Sequence, residues 1–376
     1  METKKTALSF AAAGTVAGVA GLVLLASPAG AGEAPPSLPA ISPDDLVESV
    51  LNTEIPALSG SVAMENNLGL PIPGMPGSTD GSEIRVYTDG EGKHRLQMPR
   101  QGTETTVIDD GTTVWVWNSA ERTVTKTPHK ADGKQAEKPL EGRFADPATA
   151  ARDLVDAMQA DSTVDVDGTA RVAERPVYQL VLTPKPTERT LLREVRVSVD
   201  SETRVPLQVE VLANGQAEPA IKAGFTEFAD GPQDPGLFQF TPPKGATVTE
   251  QDPKEEFRGQ SPEDMFGELD LNTYGEGWDT VLTGTVPEAV LTGDFGDFGS
   301  DRDRGGDQGD RGDFGEGMGN NPLDLLGTLG KQVSGDFGTG YVISANVGTA
   351  LITEDGKIAI GAVPEQVVIE AVEQMK

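Results

Sequence analysis

The chain has few side chains suited to covalent or acid–base catalysis. Its 376 residues include two histidines, His94 and His129, and no cysteine. The sequence also lacks the Gly-x-Ser-x-Gly segment that presents a nucleophilic serine in many hydrolases. Because a nucleophilic triad needs a base beside its nucleophile, the composition predicts a protein that is not an enzyme. We expect His94 to be a strand residue and His129 a loop residue.

One segment imitates a metal site. Residues 301–306, DRDRGG, look like the start of a calcium-binding loop. Such a loop needs an oxygen ligand at its fifth position and a bidentate glutamate at its twelfth. This chain has Gly305 and Gly312 at those positions. The sequence therefore predicts neither a metal site nor a cofactor.

The overall charge narrows the classes of partner. Lysine and arginine number 30 and the acidic residues 60, which gives a net charge of −30. Nucleic acids are bound through clustered lysines and arginines, and no basic stripe occurs in this sequence. We therefore expect no nucleic-acid partner, and we attribute the acidity to soluble surface and linkers.

The first 31 residues have the pattern of an export signal. Lys4 and Lys5 precede an apolar run from Ala7 to Ala26, and small residues follow at positions 29 and 31. This pattern predicts a signal peptide at 1–31, cleaved after Ala31, and an extracytoplasmic location in the periplasm or cell envelope. If the signal is not cleaved, the same run anchors the protein in the membrane. A Pro-rich spacer is predicted at 32–41.

Two amphipathic helices are predicted. One begins after Ser42, where a capping hydroxyl and Pro43 precede apolar residues at helical spacing. The second begins near Asp146, and its apolar stripe includes Leu154 and Met158. Short strands separated by turn residues precede and follow this second helix, and their alternation predicts antiparallel sheet with one apolar face.

A hairpin is predicted in the first group of strands. Asp110 and Gly111 are typical of the two central residues of a hairpin turn, and with this turn Val107 lies opposite Val114. Because side chains alternate along a strand, Val107, Val114 and Val116 share one face of the sheet.

The tryptophan pair, Trp115 and Trp117, lies on the other face in this register. A bare aromatic pair there forms the kind of exposed apolar patch that marks an interface. The chain has a candidate cover in its last helix, which carries a stripe of Val368, Val372 and Met375. We therefore predict that the C-terminal part of the chain covers the tryptophan pair; the alternative is that the two rings simply cover neighbouring strands.

The segment GLFQFTPPKGATV, residues 236–248, resembles the end of the LolA-like family of outer-membrane lipoprotein carriers. The resemblance extends back through DGTTVWVWNSAERTV and the order of helices and strands, and it predicts a domain at 42–252. What it implies is an α+β fold: a curved, antiparallel, incomplete β-barrel with helices in its concave side. Family members of this kind carry lipids or the acyl chains of lipoproteins. Residues 66–81 form a Gly/Pro-rich insertion in the first hairpin, and its role stays open.

The predicted function is that of a monomeric carrier that holds lipid or lipoprotein acyl chains in an apolar half-barrel cavity. The predicted lipid-binding residues are those of the apolar face and of the second helix: Ile84, Val86, Leu96, Met98, Val107, Val114, Val116, Leu154, Met158, Leu180, Leu182, Val195 and Val197.

Beyond residue 252 the chain has a different composition. Residues 293–321 are a Gly/Asp-rich segment without apolar periodicity, which predicts a flexible linker. Residues 253–292 and 322–376 are predicted to form one small α+β module, with strands at 341–344, 349–353 and 357–363 and a helix from Pro364. This two-part layout resembles the RseB-type regulators of sigma factors. The resemblance implies an alternative function, an extracytoplasmic lipid sensor that binds an anti-sigma factor or other membrane protein.

Overall fold

The computed structural model describes residues 35–69, 83–100, 102–129, 152, 155, 158–250, 272–286 and 330–375. The predicted signal peptide, most of the predicted insertion and the predicted Gly/Asp linker lie outside these residues. The chain divides into two compact units, Met1–Ser37 and Leu38–Lys376. In the first unit, the described residues 35–37 have no regular secondary structure. Within the described ranges, no helix is both long and apolar enough to cross a bilayer.

A large curved, open sheet forms most of the second unit, and its twelve strands run in the order β12-β6-β5-β4-β3-β2-β1-β11-β10-β9-β8-β7. Neighbouring strands are antiparallel except β12 and β6, which pair in parallel. The predicted fold class, a curved incomplete barrel of antiparallel strands, is confirmed. The strands are β1 (Leu58–Asn66), β2 (Ile84–Thr88), β3 (His94–Arg100), β4 (Thr103–Asp109), β5 (Thr113–Asn118), β6 (Thr123–Pro128), β7 (Ser162–Val172), β8 (Arg175–Pro184), β9 (Leu192–Asp200), β10 (Pro206–Ala213), β11 (Ile221–Asp230) and β12 (Thr247–Glu250).

The hairpin between β4 and β5 has a different register from the predicted one. Val107 lies opposite Val116, and Val114 lies opposite Asp109. The backbone N–H of Asp110 donates to the carbonyl of Thr113, so the chain turns one residue later than predicted. The Asp110 carboxylate accepts the N–H of Thr113 at 2.9 Å, a bond that suits the residue before a turn rather than one at its centre.

Positive φ at the first central residue of the turn, Gly111 (87°), is a feature of the turns that join two antiparallel strands tightly. The observed register between β4 and β5 differs from the predicted one by two residues, since Val107 pairs with Val116 instead of Val114. Because side chains alternate with a period of two, each valine stays on its predicted face.

Helix α1 (Pro43–Asn52) begins as predicted. The Ser42 hydroxyl accepts the N–H of Asp45 at 3.1 Å, and Pro43 occupies the first helical position, where its missing N–H costs no hydrogen bond. In the second predicted helix, Arg152, Val155 and Met158 are helical. Its predicted start near Asp146 lies outside the described residues.

A second, smaller sheet has six strands in the order β13-β14-β18-β17-β16-β15. Residues from both sides of the segment 287–329 contribute to it, since β14 pairs with β18. The predicted strands and helix of the C-terminal residues are confirmed within a few residues. The elements are β13 (Asn272–Tyr274), β14 (Val281–Thr285), β15 (Lys331–Gly335), β16 (Gly338–Ser344), β17 (Thr349–Thr353), β18 (Lys357–Gly361) and α2 (Glu365–Glu373).

Helix α2 packs on one face of the small sheet. Val368 and Val372 are fully buried there with Val281 and Leu351. We call β13–β18 together with α2 the C-terminal module. Its predicted boundaries at 253–292 and 322–376 stay a prediction.

Candidate lipid-binding face

The strand registers place apolar residues from successive strands on one face of the large sheet. Val197 lies opposite Leu180 on one side and opposite Val209 on the other. The same face continues across β10, β11 and β1 to β2, where Val62 lies opposite Ile84. It then continues through three further pairs: Val86 with Leu96, Leu96 with Val107, and Val107 with Val116. We call this surface the concave face.

Helix α1 covers one end of the concave face. Leu46 and Val50 have no exposed surface and form one core cluster with four residues predicted to bind lipid, which are Leu180, Leu182, Val195 and Val197. The hydroxyl of Tyr178 in β8 donates to the carbonyl of Pro39 at 2.9 Å, which holds the chain just before the helix. The amphipathic pattern of α1 therefore buries its apolar side against β8 and β9.

The second helical segment covers the same end. Val155 is fully buried in this cluster, and Met158 is partly buried against it. The Arg152 guanidinium donates to the carbonyl of Leu51 at 3.3 Å and so links the segment to the last turn of α1. Leu154, also predicted to bind lipid, lies outside the described residues.

The rest of the concave face is less covered. Val86, Val107 and Val114 are buried, whereas a second group is half-buried: Ile84, Leu96, Met98 and Val116. On the neighbouring strand β1, Met64 is 54% exposed. The predicted lipid-binding residues thus divide into a closed part under the helices on β8 and β9 and a more open part on β2–β5.

Sequence reasoning missed one member of the closed part, Trp278, which belongs to the C-terminal segment of the chain. It is 3% exposed and lies in the same cluster as Leu46 and Leu180. Its indole N–H donates to the hydroxyl of Ser162, 3.0 Å away. No local pattern points to this contact, because the two residues are 116 positions apart.

Trp115, the first residue of the tryptophan pair, is not covered by helix α2 as predicted. The ring of Trp115 lies 5.6 Å from that of Phe240 and within 5.9 Å of the Lys126 ammonium group. Its cover is therefore the segment that leads to β12, not helix α2, whose valines pack on their own sheet. The reason is connectivity: the chain after β11 crosses to the far edge of the large sheet and pairs with β6.

The indole N–H of Trp115 donates to the Asp110 carboxylate at 3.0 Å. Burial raises the pKa of this carboxyl group, but the hydrogen bonds from Thr112, Trp115 and Thr113 outweigh burial and hold the pKa below its usual value. The charged side chain thus fixes both the hairpin turn and the indole above it.

The two histidines lie close to one carboxylate. His94 is at the start of β3, opposite Asp109, and His129 follows β6 with its Nε2 at 3.2 Å from the Asp109 carboxylate. Burial raises the pKa of Asp109, while the Gly111 N–H and the two histidines act in the opposite direction. Among the described residues, no group of three or more metal-ligating side chains lies together.

No family model and no curated protein matches the chain. Solved structures with a similar fold include MucB in the MucA/MucB complex from Pseudomonas aeruginosa (16% identity, 87% of this chain and 94% of that chain, TM-score 0.39). They also include a LolA superfamily protein from Nitrosomonas europaea (11%, 54% and 99%, TM-score 0.22). A third is an uncharacterized conserved protein from Thermus thermophilus (12%, 55% and 98%, TM-score 0.32).

These neighbours include a LolA superfamily protein and the RseB-like protein MucB, which match the two resemblances seen in the sequence. With identities below 20% and TM-scores below 0.5, neither function nor partner transfers from them to this chain.

Proposed function

We propose that the protein is an exported, monomeric carrier that binds the acyl chains of lipids or lipoproteins on the concave face. The observation that supports this most directly is the continuous apolar face of an open sheet, with helices packed over one end of it. An extended hydrocarbon chain needs apolar area and no particular polar group. The face supplies such area on the strands that lie from β2 to β9 in the order of the sheet. An extracytoplasmic site of action follows from the predicted signal peptide.

The half-buried part of the face suits reversible binding. Leu96, Met98 and Val116 offer a ligand apolar contacts that are not already made within the protein. Each methylene group buried by an acyl chain contributes about 0.8 kcal/mol, so eight buried groups contribute about 6 kcal/mol. Loss of translational and rotational freedom on association costs several kcal/mol. One chain is therefore held weakly enough to be passed on, as a carrier requires.

The test is to place a charge in the open part of the face. Leu96→Asp or Val116→Asp should abolish binding of a dansyl-labelled fatty acid, because a carboxylate is costly to bury beside a hydrocarbon chain. Gln97→Asp, on the same strand but the other face, is the matched control and should bind as the wild type does. Circular dichroism checks that all three variants stay folded. Unchanged binding by both variants of the face would contradict the proposed site.

The second candidate function is a regulator that binds a membrane protein. It is favoured by the face of the small sheet opposite α2, where Leu282 and Ile360 lie opposite each other and are 45% and 42% exposed. A photo-crosslinking amino acid at position 360 tests it in the cell envelope. A cross-link to one membrane protein, lost in Leu282→Asp, supports the regulator. A cross-link to a second copy of this chain indicates self-association instead.

A further inference from the structure

Trp278 belongs to the C-terminal segment but is buried in the core of the large sheet. Its indole forms one cluster with Leu46 of α1 and with Leu180 and Val197, two of the residues proposed to contact lipid. The N–H of the indole donates to Ser162 at 3.0 Å, which satisfies its one polar atom. The ring therefore occupies apolar space between the helices and the concave face.

The turn that carries Trp278 is held tightly against the large sheet. The backbone N–H of Trp278 donates to the Glu188 carboxylate at 3.0 Å. The preceding residue, Gly277, has a φ of 59°, and a Cβ atom there would lie 2.7 Å from the Asp161 carboxylate. Positive φ and close approach both favour glycine. This local geometry projects the indole into the core.

The C-terminal module also contacts the loop between β8 and β9, next to Glu188. Thr190 and Leu191 each donate to the carbonyl of Ala362, at 2.7 and 2.8 Å. The Arg189 guanidinium pairs with Glu370 of helix α2 at 2.8 Å and with Asp279 at 3.4 Å. Residues 188–191 lie between β8 and β9, the strands that carry the closed part of the face. These contacts of residues 188–191, which we call the seat of the module, thus lie next to the proposed lipid site.

We propose that Trp278 is an intramolecular plug that competes with the acyl chain for the closed part of the concave face. This inference rests on the proposed function and adds regulation to it. A buried indole covers up to about 250 Å², about the area of eight methylene groups at roughly 30 Å² each. A chain that enters the closed part must displace the indole. Because the turn and the module are held together, ligand binding weakens the seat of the module.

Two variants test the competition in the full-length protein. Trp278→Ala removes the plug, and Arg189→Glu weakens its seat by placing a negative charge beside Asp279 and Glu370. Arg189 is half exposed, so the second variant should fold even if the first does not. Both should bind a dansyl-labelled fatty acid about tenfold or more tightly, because the apparent dissociation constant falls as the open fraction rises. Trp117→Ala, on the other face, is the matched control and should bind as the wild type does.

A spectroscopic measurement follows the plug itself. In a Trp115→Phe, Trp117→Phe protein, Trp278 is the sole tryptophan, and saturation with palmitate should shift its emission to longer wavelengths as the indole enters water. If palmitate binds while the emission and the affinities of both variants stay unchanged, the plug is wrong and the proposed function stands. Quenching by a brominated fatty acid without a red shift also overturns the plug, because the chain then lies beside a seated indole. If neither the wild type nor either variant binds any fatty acid, the proposed function itself fails.

Discussion

Asp200 is a fully buried carboxylate at the end of β9. Arg175, at the start of β8, donates to its two oxygens at 2.8 and 3.1 Å. The same guanidinium reaches Glu202 at 3.0 Å and Asp230 at 3.4 Å, so it ties β8 to the turn after β9 and to β11. A planar group with five donors is suited to such a junction. The pair therefore links the start of β8 to the end of β9, the two strands that carry the closed part of the face.

Acid should destabilise the protein partly through Asp200. Burial raises the pKa of this group, but hydrogen bonds from Arg175, Thr203 and Glu202 outweigh burial and lower the pKa below its usual value. A lowered folded-state pKa stabilises the fold above the unfolded-state value, and this stabilisation is lost as pH falls through the folded-state value. Urea unfolding between pH 7 and pH 3 should show the loss.

Asp200→Asn is the control for this pH dependence. The variant should lose about 3–5 kcal/mol of unfolding free energy at pH 7, since it leaves Arg175 without its buried partner. Its unfolding free energy should then fall less between pH 5 and pH 3 than that of the wild type. An equal fall in both proteins would mean that other carboxylates determine the acid response.

At this scale the sequence predicts side-chain faces better than individual partners. The faces of Val107 and Val116 follow from alternation alone, so they survive an error in the turn. The common Asp-Gly signal predicts Asp110 at the centre of the turn, whereas Asp110 precedes the turn and its carboxylate accepts the N–H groups of Thr112 and Thr113. Trp278 could not be placed, because its partners are distant in sequence and no periodic pattern marks them.

Among the elements, the segment from Pro235 to Glu250 leads the chain from β11, in the interior of the large sheet, to the edge strand β12. After β11 it forms a short 3₁₀ helix at Pro235–Phe238, whose Leu237 carbonyl accepts from Arg95 at 3.0 Å. It then passes Trp115 and pairs in parallel with β6. It is therefore the element that contacts the ring of Trp115.

Removing one aromatic ring from this segment should expose Trp115. In a Trp278→Phe background, Phe240→Ala should shift tryptophan emission to longer wavelengths, because the 5.6 Å ring contact is lost and water reaches the indole. Phe228→Ala, whose ring contacts Phe225 instead, is the control and should leave the emission unchanged. A shift of equal size in both variants would point to general loosening of the sheet.

Strand alternation and helix caps predicted most elements, but not how they are assembled. Helix α2 lies where the apolar spacing of Val368 and Val372 predicts it, yet those residues bury themselves against the small sheet and not against Trp115. Amphipathic spacing identifies which side of a helix is buried and says nothing about its partner. The parallel pairing of β12 was missed for a similar reason, since a four-residue strand carries no information on direction.

At the scale of the molecule, the described residues of the C-terminal module contact those of the large sheet in two regions. The first region consists of Trp278, its turn and residues 188–191. The second region lies just after β1, where the side-chain amide of Asn346 donates to the backbone carbonyl of Asn67 at 2.9 Å. Both contacts lie next to strands of the concave face. An acyl chain that loosens one of these contacts can therefore change the position of the C-terminal module.

The C-terminal module should stay assembled after the backbone is cleaved between β14 and β15. Strand β14 lies between β13 and β18, with five residue pairs from Val281–Gly361 to Thr285–Lys357. Val281 is fully buried against Val368 and Val372. These contacts are not interrupted by a cut within residues 293–321, because both fragments keep their strands.

A protease site inserted at 293–321 tests this. After cleavage, the two fragments should co-elute from a size-exclusion column in buffer and separate only in denaturant, since neither the strands before the cut nor those after it can bury their apolar face alone. A cleaved Val281→Asp protein is the matched control, because a charge in the shared core should release the C-terminal fragment. Separation of the wild-type fragments without denaturant would mean that pairing across the cut contributes little, and that connectivity of the chain holds the module together.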